Sequence, residues 1–182
     1  MSTELLGQTL LILARNAIEQ RLGGNAKAYA PCPELAQNGA TFVTLTQNGN
    51  LRGCIGSLEA YRPLLTDVAE NALAAAFRDP RFPPLGHEEL AFTRVEVSLL
   101  DVPKPMEFAG EADALARLRP GIDGLILSYG HRRATFLPQV WESLPDRQQF
   151  MAHLKMKAGL PADFWDDGIT LSRYGVQKWK EA

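Results

Sequence analysis

Residues 41–57 read T-F-V-T-L-T-Q-N-G-N-L-R-G-C-I-G-S, and the way this stretch folds back on itself decides the architecture. Thr41 to Thr46 is rich in β-branched residues, Asn48-Gly49 supplies two positions that accept positive φ, and Leu51 to Ser57 returns. The pattern predicts an antiparallel hairpin closed by a type I′ turn. A two-residue turn also sets the register, placing Thr46 opposite Leu51, Leu45 opposite Arg52, and Val43 opposite Cys54. Side chains alternate along a strand, so Arg52 and Cys54 then share one face with Val43 and Leu45.

Working outward, Leu6, Leu10, Leu13, Ala17 and Ile18 repeat at helical spacing, and Gly23-Gly24 supplies a stop. Residues 25–39 read as a loop stiffened by Pro31-Cys32-Pro33. Beyond the hairpin, Pro63 opens an alanine-rich helix that ends before Pro80. Its Leu65, Ala69, Ala72 and Ala76 form a narrow face that another backbone can approach. A strand follows at Arg94 to Leu100, with Val95, Val97 and Leu99 on one side and Arg94, Glu96 and Ser98 on the other. A short helix over Glu111 to Arg119 stops at Pro120. Leu125 to Ser128 and Ala134 to Leu137 flank a second turn. Asp146 and Gln149 cap a helix carrying Phe150, Met151 and Leu154, which Gly159 and Pro161 end. A last strand covers Ile169 to Tyr174. Hairpins and helices mix without regular βαβ alternation, which predicts an α+β class: an antiparallel sheet with packed helices.

At 182 residues the chain fits a single domain, 1–182, with room for two lobes. A net charge of -2 argues against a general nucleic-acid backbone binder, although His131-Arg132-Arg133 is a local basic run. The first twenty residues carry charges throughout and lack the zones of an export signal. Nothing reaches the ~18 consecutive apolar residues of a membrane span. With two cysteines and no export signal, a reducing cytoplasm is the expected compartment, and a Cys32–Cys54 disulfide is not expected.

Two readings of Cys54 stand side by side. Arg52 on the same face favours the thiolate, the nucleophilic form, and Gly53 and Gly56 leave room for a substrate. Equally, Val43 and Leu45 on that face make an apolar setting in which a thiol is inert. The second cluster is R-D-P-R-F-P-P, residues 78–84, where Arg78, Asp79 and Arg81 lie in a proline-stiffened helix exit. Such a loop suits an anion or carboxylate held by arginine; ordinary turn chemistry of Asp beside Pro accounts for it as well. Glu96 and Ser98 suit acid–base work or a solvated sheet face. His87, His131 and His153 are scattered and no C-x-x-C or H-x-x-x-H occurs, so no metal site is expected. No phosphate loop, dinucleotide fingerprint or G-x-S-x-G is present, and the residues name no cofactor. Trp141, Trp165 and Trp179 read as packing residues rather than a base-stacking platform.

L-R-G-C-I-G, R-D-P-R-F-P-P, V-S-L-L, G-I-D-G-L-I-L, F-L-P-Q-V-W-E and K-A-G-L-P follow one another in this order. Together they resemble the AMMECR family, named from the AMME chromosomal region, and within it the bacterial branch called AmmeMemoRadiSam system protein A. The resemblance runs from about residue 25 to the C-terminus. It implies an α+β fold with a larger and a smaller lobe, and association with a Memo-type protein and a radical-SAM protein. It supplies no established reaction. The family's hallmark hexapeptide maps onto Leu51, Arg52, Gly53, Cys54, Ile55 and Gly56. The second motif maps onto Arg78, Asp79, Arg81, Phe82, Pro83 and Pro84, and the fifth includes Leu137 and Pro138. The same-face pair Cys54 and Arg52 and the rigid charged loop, rather than the resemblance, make Cys54 and Arg52 the candidate catalytic pair, with Arg78, Asp79, Arg81, Gly53 and Gly56 as candidate substrate contacts. The chain has no C-x-x-x-C-x-x-C and is not itself the radical-SAM member.

Overall fold

The computed structural model describes residues 2–182. In chain order the elements are α1 (Thr3–Arg21), β1 (Asn38–Gly39), β2 (Thr41–Gln47), β3 (Asn50–Gly56), β4 (Arg62–Pro63), α2 (Leu64–Phe77), β5 (Thr93–Leu100), β6 (Lys104–Pro105), α3 (Gly110–Arg117), β7 (Gly124–Tyr129), β8 (Arg132–Phe136), α4 (Arg147–Lys157), β9 (Thr170–Tyr174) and β10 (Val176–Lys180). Short 3-10 turns lie at Pro33–Ala36, His87–Phe92 and Pro138–Glu142. The class is α+β with antiparallel sheets, as the mixed hairpins and helices predict. The chain divides into two compact units, residues 2–100 with 177–182, and residues 101–176.

The first unit is a four-stranded sheet in the order β10-β5-β2-β3, with α1 and α2 packed on it. Leu10, Ala14 and Ile18 of α1, Val68 and Ala72 of α2, Val43 and Leu45 of β2, and Val95 and Val97 of β5 are all fully buried. Each full-sized apolar side chain buried in this way contributes about 1.5–3 kcal/mol. The Ser2 hydroxyl caps α1 by accepting the Leu5 amide at 3.3 Å, and Gly23 ends it at φ 84°. Pro63 immediately precedes α2 and makes no capping bond, and the last turn of the helix closes at Phe77, three residues before Pro80.

Asn48 and Gly49 take φ values of 50° and 81°, as the type I′ turn requires, and Thr46 pairs with Leu51. Beyond that pair the predicted register fails. A bulge at Arg52 shifts the ladder, so Leu45 pairs with Gly53, Thr44 with Cys54, Val43 with Ile55, and Phe42 with Gly56. One extra residue moves every later side chain to the other face. Cys54 therefore leaves the face of Val43 and Leu45 and stands beside Thr44. Gly53 takes the place on the helix-facing side, where α2 crosses closely: a Cβ on Gly53 would lie 2.1 Å from the Ala75 carbonyl oxygen. The narrow face of α2 is also rotated from the predicted one. Leu64, Val68, Ala72, Ala75 and Ala76 are buried, whereas Leu65 is exposed. The sequence pattern missed β10, whose V-Q-K-W-K has no clean alternation. Its Trp179 ring seats where α1 carries Gly7.

The second unit is a sheet in the order β6-β9-β7-β8 with α3 and α4. Leu125 and Leu127 of β7 and Phe150, Met151 and Leu154 of α4 are fully buried. The Asp146 carboxylate caps α4 by accepting the Gln149 amide at 2.9 Å, in line with the capping pair. Trp141 stacks on Phe150 at 3.7 Å and donates its indole N–H to the Asp123 carbonyl at 2.8 Å. It is a packing residue, as are Trp165, edge-on to Phe108 at 5.7 Å, and Trp179. Both cysteines are free. Among the described residues, no helix is long and apolar enough to cross a membrane.

Candidate functional site

β3 is an edge strand, and an edge presents unpaired amides and carbonyls that a folded protein must cover. At Cys54 the cover is the proline-stiffened loop after α2. The Asp79 carboxylate accepts the Cys54 amide at 2.9 Å, and an Arg81 Nη2 donates to the Cys54 carbonyl at 3.3 Å. The two side chains do here what a neighbouring strand would do. They are locked to each other as well: Arg81 Nε and Nη2 reach the two Asp79 oxygens at 3.0 and 2.7 Å. Asp79 is buried while the Arg81 side chain is half exposed. The Arg81 guanidinium, with the Cys54 and Arg81 amides, holds the Asp79 carboxyl well below the usual carboxylate range against the cost of its burial. Asp79 in turn raises the pKa of Arg81. Residues 51–56 and 78–84 thus meet in space, here through the backbone of Cys54 and the side chains of Asp79 and Arg81.

Arg52 is spent differently from the sequence expectation. Its Nε and Nη2 contact the two oxygens of Glu89 at 2.9 and 3.1 Å, Nη2 also donates to the Pro83 carbonyl at 2.9 Å, and the guanidinium lies 5.8 Å from the Phe82 ring centroid. Nη1 is buried with no hydrogen-bond partner. A guanidinium engaged by a carboxylate in this way has much of its charge offset, which weakens the case for Arg52 as the group that favours a Cys54 thiolate. Glu89 is the residue that sequence reasoning missed. Its carboxylate also accepts the Gly86 amide at 2.7 Å and Gln47 Nε2 at 3.0 Å. The readable signal was the spacing Gly86-x-x-Glu89, which matches a reach-back cap at a helical start.

Cys54 itself is half buried, and its Sγ lies 3.3 Å from the Thr44 hydroxyl. Across the sheet, Thr44 in turn pairs with Glu96. Glu96 is within 3.9 Å of Lys178, and Ser98 is buried. Arg78, the third charged member of the loop, pairs with Glu70 of α2 at 3.3 Å. Gly53 and Gly56 are packing positions: a Cβ on Gly53 meets Ala75, and one on Gly56 would lie 2.2 Å from the Phe42 ring. Among the described residues no group of three or more His, Cys, Asp or Glu is placed to hold a metal ion.

The carboxylates give a pH prediction. The hydrogen bonds from Arg52 hold the Glu89 carboxyl down to about 2, against an ordinary 4.5. A depressed carboxylate stabilises the fold above its unfolded pKa and loses that contribution as pH falls through the folded value. Urea midpoints should therefore fall as pH drops from 4.5 to about 2, and Glu89→Gln should flatten that part of the curve while lowering stability at neutral pH. Parallel curves for the two proteins would show that the Arg52–Glu89 pair contributes nothing net.

The AMMECR1 family model matches residues 11–179. A protein of Methanothermobacter thermautotrophicus is 42% identical over 184 residues, spanning 96% of this chain and 94% of that protein. Protein MJ0810 of Methanocaldococcus jannaschii is 38% identical, spanning 92% of this chain and 86% of its own length. The crystal structure of the uncharacterized protein PH0010 from Pyrococcus horikoshii has the same fold, with a TM-score of 0.79 at 34% identity, covering 100% of this chain and 93% of that one. With the match extending over most of its length, the chain belongs to the AMMECR1 family.

Proposed function

We propose that this AMMECR1-family protein performs thiol-dependent chemistry on a small molecule or a modified residue, with Cys54 as the working group. The observation that carries the reading is the setting of Cys54: a half-buried thiol beside a threonine hydroxyl, outside the apolar core, on a strand whose backbone is clamped on both sides of the residue. A clamped backbone keeps a nucleophile in one orientation, which is what pre-organisation needs. Arg81 is the substrate-facing cation of the loop, since its side chain is half exposed and Nη1 has no partner among the described residues. Asp79 and Arg52 act as positioning residues, and Arg78 adds a second exposed guanidinium. The setting proposed is the cytoplasm, in the system shared with Memo-type and radical-SAM proteins, as the bacterial branch of the family implies.

Alkylation by iodoacetamide, read by mass spectrometry, tests this. The folded protein should take one label at Cys54, while Cys32, buried to 9% exposure, should label only after unfolding. Cys54→Ser should abolish the native label, and Cys54→Ala should fail to complement loss of the gene. A native protein that takes no label, together with full complementation by Cys54→Ala, sinks the reading.

A second reading is favoured by one observation: among the described residues the only side-chain hydrogen-bond partner of Cys54 Sγ is Thr44, and the neighbouring Asp79 carboxylate is committed to the Cys54 amide and to Arg81. A non-catalytic module that docks the Memo-type and radical-SAM partners fits that arrangement. Co-purification with those partners would then survive Cys54→Ser and fail with Arg81→Glu.

A further inference from the structure

Within the first unit, α1, the chain after it and the end of β10 line an open cleft of about 380 Å³ that the Cys54 site does not use. Its volume falls in the range of small-molecule pockets, which begins at about 300 Å³. Leu11 and Ile12 give it an apolar floor. One wall is a buried ion pair: Arg15 is held by Glu181, with a further bond to the Thr93 carbonyl at 2.7 Å. Glu181 also accepts the Val95 amide at 2.9 Å, so its charge is committed to Arg15 and the start of β5. The rim carries Lys27 and Lys180, both exposed, and neither ammonium pairs with a carboxylate among the described residues. The Lys27 backbone is fixed in place, because the buried Asn16 side chain bonds its amide and its carbonyl, each at 2.8 Å. The result is a slot with an apolar floor and two exposed lysines on its rim, which Gln8 and Ala182 complete.

We propose that this cleft binds a small amphipathic anion: one acidic head group, carboxylate or phosphate, on a short apolar body. The body lies against Leu11 and Ile12, and the head reaches Lys27 and Lys180. Burial of the body supplies non-directional affinity, and the two ammonium groups select for negative charge. The site is separate from Cys54, so its occupancy leaves the alkylation of Cys54 unchanged, and the two proposals stand or fall independently.

The test is a titration of the isotopically labelled full chain with octanoate, octyl phosphate and octanamide, followed by amide chemical shifts. Either anion should give saturable shifts confined to Leu11, Ile12, Arg15 and Lys27, and the tighter one identifies the head group. Octanamide, with the same body and no charge, should bind at least about tenfold more weakly. Lys27→Glu with Lys180→Glu should weaken the anions by a similar factor without changing the thermal midpoint by more than a few degrees, since both side chains are exposed. Equal binding of octanamide and octanoate, shifts spread over the whole surface, or no shift at any concentration short of micelle formation would each overturn the proposal.

Discussion

Gly53→Ala is expected to destabilise the protein by about 3 kcal/mol or more, at the upper end of what overpacking costs. Gly53 does not lie in the positive-φ region, so its backbone tolerates alanine, and the cost is steric. The added carbon would sit 2.1 Å from the Ala75 oxygen and 3.0 Å from its carbonyl carbon. Both atoms belong to the backbone of α2, which cannot rotate away as a side chain does. Relief requires lifting α2 from the sheet, and that loosens Val43, Leu45, Val68 and Ala72 at once. Gly56→Ala, three residues on, provides the control. Its new carbon meets the ring of Phe42, a half-buried side chain that can swing outward, so about 1 kcal/mol is expected. Urea unfolding should show a much lower midpoint for Gly53→Ala than for Gly56→Ala, with unchanged slopes. Equal losses would mean that the close approach of α2 to β3 is not what the hexapeptide's first glycine serves.

The same pair of glycines shows how far the sequence could be read. Asn48-Gly49 announces the hairpin and its turn because turn chemistry is local, set by which residues accept positive φ. The bulge at Arg52 is not local. It follows from α2 needing a residue without a side chain on one face and from Glu89, thirty-seven residues away in sequence, needing a guanidinium. No pattern within 51–56 carries that information, so the predicted register put Cys54 among Val43 and Leu45, and the thiol landed beside Thr44 instead. The candidate site was legible as a set of residue types. The meeting of Asp79 and Arg81 with the Cys54 backbone was not, because edge-strand amides have no signature of their own. β10 escaped for a related reason: an edge strand with Trp179 on one face and charged residues elsewhere has no period to detect.

Asp67→Ala should be at least as damaging, by about 3–5 kcal/mol, the usual cost of removing one partner from a buried charge network. Asp67 is fully buried in α2, and five donors converge on its carboxylate. The Thr41 amide and hydroxyl both donate at 2.7 Å, Ser57 Oγ at 2.5 Å, Arg62 Nε at 2.8 Å, and Asn71 Nδ2 at 3.0 Å. Thr41 opens β2 and Ser57 follows β3, so one carboxylate fastens both open ends of the hairpin to the helix that packs on it. Without it, the Thr41 amide and the Ser57 and Asn71 groups are left buried and short of partners, each an unfavourable desolvation. Arg62→Ala is the milder cut, since Arg62 is partly exposed and water replaces some of what it loses. A cycle of Asp67→Ala, Arg62→Ala and the double variant should give a double-mutant loss clearly smaller than the sum of the two single losses. The functional consequence follows from position. Cys54 lies three residues before Ser57 on the strand that this network anchors, so the loosened hairpin end should expose the thiol and speed its alkylation in Asp67→Ala. If stability falls while the alkylation rate of Cys54 stays at the wild-type value, the Asp79–Arg81 clamp alone holds Cys54 in place, and the network beneath the hairpin serves the fold rather than the site.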